Sequence, residues 1–121
     1  MQWIILIGDK ELALDKIKKI KHYNSVSSYD VDETRYCVDY GIDHVFYDYD
    51  ESVEDYEKEE LSIIPFHDPH FITMIYTSEE RLKCILQQED FLKNIYIDND
   101  HGIIVSIEKF IKMGMPLSAI S

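Results

Sequence analysis

Two aspartates, Asp48 and Asp50, are separated by a single residue in the segment YDYDE. On a strand, alternate side chains point the same way, so this spacing would place both carboxylates on one face. Carboxylate oxygens bind hard cations such as Mg²⁺, and ligands of parallel sheets bind beyond the carboxyl ends of the strands. The pattern predicts a candidate Mg²⁺ or phosphate site built from aspartates at predicted strand ends: Asp9, Asp48, Asp50, Asp98 and Asp100.

The usual companions of phosphoryl-transfer chemistry do not occur in the sequence. The chain has only four glycines and no glycine-rich phosphate loop followed by a lysine. Acidic residues at strand ends are also common as helix caps and in solvated turns. A small Mg²⁺-dependent phosphoryl-transfer or regulatory domain is therefore the alternative hypothesis for this chain.

The histidines suggest a weaker metal site. His67 and His70 lie three residues apart in FHDPHF, and with Asp68 they have a spacing that a loop could use to bind Zn²⁺. His44 and His101 would have to approach from distant parts of the chain to complete the ligand set. Histidines in loops are more often surface polar groups, so the sequence assigns no metal ligand.

Neither cysteine has the surroundings of a catalytic nucleophile. Cys37 and Cys84 match no metal-binding spacing, and reduced, buried thiols are the expected state. Cys84 falls within a helical pattern, Cys37 with His44 has no motif, and the sequence contains no Gly-x-Ser-x-Gly elbow. We therefore predict no catalytic residue and no cofactor, and the sequence favours a protein that is not an enzyme.

The strongest feature of the composition is an acidic charge that is concentrated in one region. The formal net charge is −12, and residues 25–60 hold thirteen acidic residues against Arg35 and Lys58, a net charge of −11. Nucleic acids and anionic membranes attract cationic surfaces, so this charge argues against direct binding to either. A basic protein is the partner that such a surface would attract.

Residues 45–60 combine this acidity with aromatic side chains. Eight of the sixteen residues are acidic and three are tyrosines, which partly alternate with the acids. One interpretation is a solvated loop that keeps the protein in solution. The other is an interface, because tyrosine offers a rigid apolar ring with a polar tip and is enriched where proteins meet. The predicted partner-binding residues are Tyr47, Asp48, Tyr49, Asp50, Glu54, Asp55 and Tyr56.

These features favour an acidic protein-binding module, such as a small inhibitor or immunity-type protein that masks a basic toxin or nuclease. The oligomeric state is left open by the sequence. The N-terminal residues MQWIILIGDKE lack a basic leader and a small-residue cleavage site. No apolar run approaches the roughly 20 residues that span a bilayer, so we expect a cytoplasmic protein.

The apolar pattern predicts one domain, residues 1–121, with an α/β layer sandwich. Helices are expected after Asp9, Ser78 and Ser106, alternating with strands. This alternation predicts a mostly parallel sheet of about five strands, with an antiparallel edge strand or hairpin. The predicted strands cover residues 3–7, 25–31, 44–49, 71–77 and 94–98, with residues 103–106 as the antiparallel edge.

Residues 33–50 allow two interpretations. In the favoured one, Asp32 caps a short helix that ends at Gly41, and a strand follows. In the other, residues 35–40 and 44–49 pair as a β-hairpin.

Overall fold

The computed structural model describes residues 2–50 and 56–117, and it gives the backbone alone at Asp50. Within these residues the chain forms seven strands and four short helices. In chain order they are β1 (Gln2–Gly8), α1 (Leu14–Lys19), β2 (Ser27–Asp30), β3 (Arg35–Asp39), β4 (His44–Asp50), α2 (Lys58–Ile63), β5 (His70–Tyr76), α3 (Glu79–Leu86), β6 (Tyr96–Asp98), β7 (Ile104–Ser106) and α4 (Ile107–Lys112).

The described strands form a single sheet whose neighbours are all antiparallel. Their order is β2-β3-β4-β5-β1-β6-β7. The prediction of a mostly parallel sheet of about five strands is therefore wrong. That prediction assumes that each helix connects two neighbouring parallel strands. Instead, α1 connects β1, which lies inside the sheet, with β2, which lies at the sheet edge.

Burial on both faces explains why the sequence of β1 is typical of a parallel strand. Ile4 and Leu6 are fully buried in the main core, whereas Ile7 belongs to a second, smaller core. A strand that is covered on both faces is apolar at nearly every position, whichever way its neighbours run. The apolar run therefore predicts burial of the strand and leaves its direction open.

The two cores lie on opposite faces of the sheet. The main core packs one face against α1, α3 and α4, through buried side chains such as Ile17, Ile85 and Phe110. On the other face, α2 and the residues around it cover Ile7 and Phe71. No helix in the described ranges is long and apolar enough to cross a membrane.

Residues 33–50 form the hairpin of β3 and β4, so the favoured prediction of a helix after Asp32 is wrong. Asp32 accepts hydrogen bonds from the N–H and the hydroxyl of Thr34, at 2.8 and 3.1 Å, and these bonds close a turn before β3. Gly41 has a φ of 90° and lies in the turn between the two strands. Helix ends and hairpin turns use the same residue types, which is why the two interpretations compete in the sequence.

Two helix starts predicted from serine are confirmed. The hydroxyl of Ser78 accepts a hydrogen bond from the N–H of the third residue of α3, and Ser106 does the same for α4, each at 3.2 Å. The predicted start after Asp9 is wrong, because the carboxylate of Asp9 closes a local turn and α1 begins only at Leu14.

Candidate functional site

The tyrosines of β4 face the main core of the protein. Tyr47 is fully buried there, and its hydroxyl lies 2.8 Å from Nε2 of His22. Tyr49 packs against the same core, and its hydroxyl lies 3.1 Å from Nδ1 of His70. The alternation of tyrosines with acids in residues 45–50 thus arises because β4 has one buried face. In this conformation the ring of Tyr47 is out of reach of a partner.

Asp48 lies on the opposite face and is paired with an arginine on the neighbouring strand. Arg35 donates from Nε and Nη2 to the two carboxylate oxygens of Asp48, at 2.5 and 2.6 Å. This bidentate contact offsets the charge of Asp48, although both side chains stay partly exposed. Asp50 is the last residue of β4 and pairs with Phe71 of β5.

Tyr56 is held against the second core. Its ring stacks on Phe71 with the ring centroids 5.0 Å apart, and its hydroxyl donates to the Asp98 carboxylate at 2.8 Å. Burial, together with the hydrogen bond to Asp98, raises the pKa of Tyr56 above its ordinary value. The predicted contact residues Glu54 and Asp55 lie outside the described residues.

The aspartates proposed for Mg²⁺ lie in two separate places in the sheet. β1 and β4 are both antiparallel to β5, so Asp9 and Asp50 lie near the same end of the sheet, on either side of the start of β5. β6 runs antiparallel to β1, so Asp98 pairs with Ile5 and Asp100 lies farther toward the start of β1, away from that end. The Asp98 carboxylate accepts a hydrogen bond from the Tyr56 hydroxyl, and Asp100 accepts a hydrogen bond from the indole Nε1 of Trp3 at 3.2 Å. In the ranges 2–50 and 56–117, no three His, Cys, Asp or Glu side chains form a metal-binding group, and this includes the histidines of FHDPHF.

One row of side chains crosses five strands on the face opposite the main core. Directly paired residues of antiparallel neighbours carry their side chains on the same face, and the strand registers align one residue from each strand. We call these residues the open row: Tyr29 of β2, Cys37 of β3, Phe46 of β4, Ile75 of β5 and Trp3 of β1.

The open row belongs to neither of the two cores. At its two ends Trp3 is 45% exposed and Tyr29 is 49% exposed, and between them Phe46 and Ile75 are half-buried. Only Cys37, a small side chain between larger ones, is fully buried. An apolar row on the surface of a sheet, outside the cores that the described helices cover, is typical of a binding surface.

Charged and hydrogen-bonding groups surround this apolar row. The Arg35–Asp48 pair lies on one side of it. On the other side, Nε2 of His44 lies 3.4 Å from a carboxylate oxygen of Asp39. At the Trp3 end, Asp100 accepts the hydrogen bond of the indole. An apolar centre with a polar rim is the usual anatomy of a protein–protein interface.

The sequence identified Asp48 as a candidate but missed the open row. The members of the row are far apart in the sequence, and each occupies an ordinary strand position. Only the register of the five strands brings them together. The signal that existed was the alternation within β4, which places Phe46 on the same face as Asp48.

Known proteins do not indicate what the open row binds. Comparisons of the chain with protein-family models, with curated proteins and with solved structures gave no match. A function for the open row must therefore follow from its geometry and charge.

Proposed function

We propose that the protein is an acidic binding module whose open row docks on a basic protein. The observation that carries this proposal is the exposure of Trp3 and Tyr29 at the ends of an apolar row that belongs to neither core. A basic toxin or nuclease, whose cationic site the module would mask, is the kind of partner that this surface fits.

The composition of the face supports a protein as the ligand. Aromatic residues are enriched at the centre of protein interfaces, where burial of one large side chain can supply much of the affinity. Five strands about 4.8 Å apart make the row roughly 19 Å long, which suits the centre of an interface of about 800 Å² per partner.

The charge of the chain supports a basic partner. The net charge is −12, and residues 25–60, which include β2, β3 and β4, carry −11 of it. Complementary charge accelerates association and disfavours partners of like charge. Two of the rim groups, Asp39 and Asp48, lie within residues 25–60, and Asp100 adds a third carboxylate from outside this range, while Arg35 is a local positive charge paired with Asp48.

The experiment is affinity capture of the partner from the source cells. The dissociation constant of the captured protein is then measured for the wild type and for variants of the open row. Trp3→Ala should raise the dissociation constant about thirtyfold or more, because a large exposed aromatic side chain of the open row is removed. Ile42→Ala is the matched control, since Ile42 is a 92% exposed apolar residue in the β3–β4 turn, away from the row. Urea unfolding of each variant separates loss of binding from loss of fold.

The salt dependence of the same complex tests the charge argument. We expect the captured protein to be basic and its binding to weaken as ionic strength rises. Capture of acidic or neutral proteins, or equal affinities for the wild type and Trp3→Ala, would contradict the proposed function.

A further inference from the structure

Among the described strands, β2 (Ser27–Asp30) forms one edge of the sheet and pairs with β3 alone. All of its residues are exposed. Eight large apolar residues are exposed in the described part of the chain, and half of them lie on β2 or within four residues of it in the sequence. These four are Tyr23, Val26, Tyr29 and Val31.

The backbone of β2 has hydrogen-bonding groups on its free side. The N–H of Val31 donates to the carbonyl oxygen of Arg35 at 2.8 Å, directly after β2. Hydrogen-bonded pairs alternate along an antiparallel ladder, so Tyr29 is the next residue whose backbone groups point to β3. The N–H and C=O groups of Ser28 and Asp30 therefore point to the free edge.

Few of the devices that usually protect a sheet edge are present on β2. Natural edge strands are commonly blocked by proline, by lysine or by a covering segment. The sequence of β2 is SSYD, with neither proline nor lysine. Lys18 of α1 places its Nζ 2.7 Å from the Asp30 carboxylate, at the end of β2.

We propose that β2 receives an extended basic segment of the partner as an additional strand of the sheet. This inference rests on the proposed function. Backbone bonds to Ser28 and Asp30 would hold the segment, and its Lys or Arg side chains would meet the acidic residues Asp30, Asp32 and Glu33. Tyr29 belongs both to β2 and to the open row, so one partner can occupy the two surfaces together.

A second copy of the chain fits this edge less well than a basic segment does. Pairing of two copies through β2 would bring net charges of −12 and −12 together. It would also place two sets of Asp30, Asp32 and Glu33 at one junction, and like charges across paired strands are destabilising. A basic segment instead brings positive charges to the same acidic residues.

The test selects random nine-residue peptides on phage against the full chain and locates the selected peptides by NMR. We expect peptides in which Lys or Arg alternates with β-branched residues. In the ¹⁵N-labelled protein, hydrogen exchange at the amides of Ser28 and Asp30 should slow by about tenfold or more when such a peptide is added, because these amides become hydrogen-bonded. Neutral or acidic selected peptides, or unprotected amides at both residues, would overturn strand addition.

Two variants of one residue separate a backbone role from a side-chain role. Ser28→Pro removes the outward N–H and is tolerated on an edge strand, so affinity for the selected peptide and for the captured partner should fall about tenfold. Ser28→Ala keeps the N–H and should change affinity less than about twofold, which is the matched control. Equal affinities for the proline variant and the wild type would overturn the proposal.

Two outcomes distinguish this inference from the proposed function. If the captured basic partner depends on Trp3 but not on the N–H of Ser28, strand addition is overturned and docking at the open row stands. If the purified protein forms a dimer in which Ser28 and Asp30 are protected without peptide, the edge belongs to a second copy and the proposed occupant is wrong.

Discussion

Arg35 and Asp48 face each other across β3 and β4, and two parallel hydrogen bonds of 2.5 and 2.6 Å join them. The first aspartate of the Asp-x-Asp spacing is thus held by the arginine opposite it. The pair also lies beside Phe46, over whose ring the Arg35 guanidinium sits 5.6 Å from the centroid. The Arg35–Asp48 pair therefore lies along one side of the open row, in contact with Phe46.

We predict that Asp48→Ala destabilises the protein by up to about 1 kcal/mol, since the pair is bidentate but partly exposed. Asp48→Lys should cost more, because it places two positive charges directly opposite each other. The exchanged pair, Arg35→Asp with Asp48→Arg, should recover part of the loss. Urea unfolding of the four proteins measures these differences, and equal stability of Asp48→Lys and Asp48→Ala would contradict the role of charge.

Two buried tyrosines should respond differently to loss of the hydroxyl. Tyr47→Phe removes the partner of His22 in the main core and should cost about 1–3 kcal/mol. Tyr76 is equally buried, but its hydroxyl oxygen has no hydrogen-bond partner among the described residues. Tyr76→Phe should therefore be neutral or stabilising. Thermal unfolding compares the two variants, and an equal loss in both would show that the His22 contact contributes nothing.

The stability of the protein should fall as the pH drops below about 6.5, the ordinary pKa of histidine. His22 is buried beside Tyr47 and the carbonyl oxygen of Ile20, and burial lowers its pKa in the folded state. The unfolded chain then binds a proton that the folded chain does not, so acid favours unfolding. His22→Gln should remove this part of the pH dependence. Urea unfolding between pH 5 and 8 measures the slope, and an unchanged slope in the variant would exclude His22 as its source.

Asp98→Asn should raise the stability at pH 7. Burial raises the pKa of Asp98, although hydrogen bonds from the Asp100 N–H and from Tyr56 oppose this shift. Because the pKa of Asp98 is raised in the folded state, its carboxyl group ionises more readily in the unfolded chain. The folded protein therefore loses stability as the pH rises from the ordinary pKa of aspartate through the raised pKa of Asp98.

The gain of Asp98→Asn over the wild type should therefore be largest at pH 7 and should shrink toward pH 3. Asp15→Asn, at an exposed position of α1, is the control for a general change in charge. A gain that is independent of pH in Asp98→Asn would contradict the assignment.

The sequence predicted most of the elements of this fold from local signals. The apolar runs of β1 and β5 and the serine caps of α3 and α4 were found where the structure has them. These signals are local because a strand is apolar where it is buried and a cap is formed within one helical turn. The sequence also showed that residues 45–60 are acidic and aromatic, but it did not show that Tyr47 and Tyr49 pack against the main core.

Tertiary structure decided how the strands pair and which side chains share a surface. The same Asp32 and Gly41 suit a helix or a hairpin, and packing of Tyr36 and Val38 into the main core stabilises the hairpin. Tyr47 and Asp48 are adjacent in sequence, yet one is core and the other surface, because successive residues of a strand point to opposite faces. The open row exists only through the register of five strands, since register is set by contacts between segments that are distant in the chain.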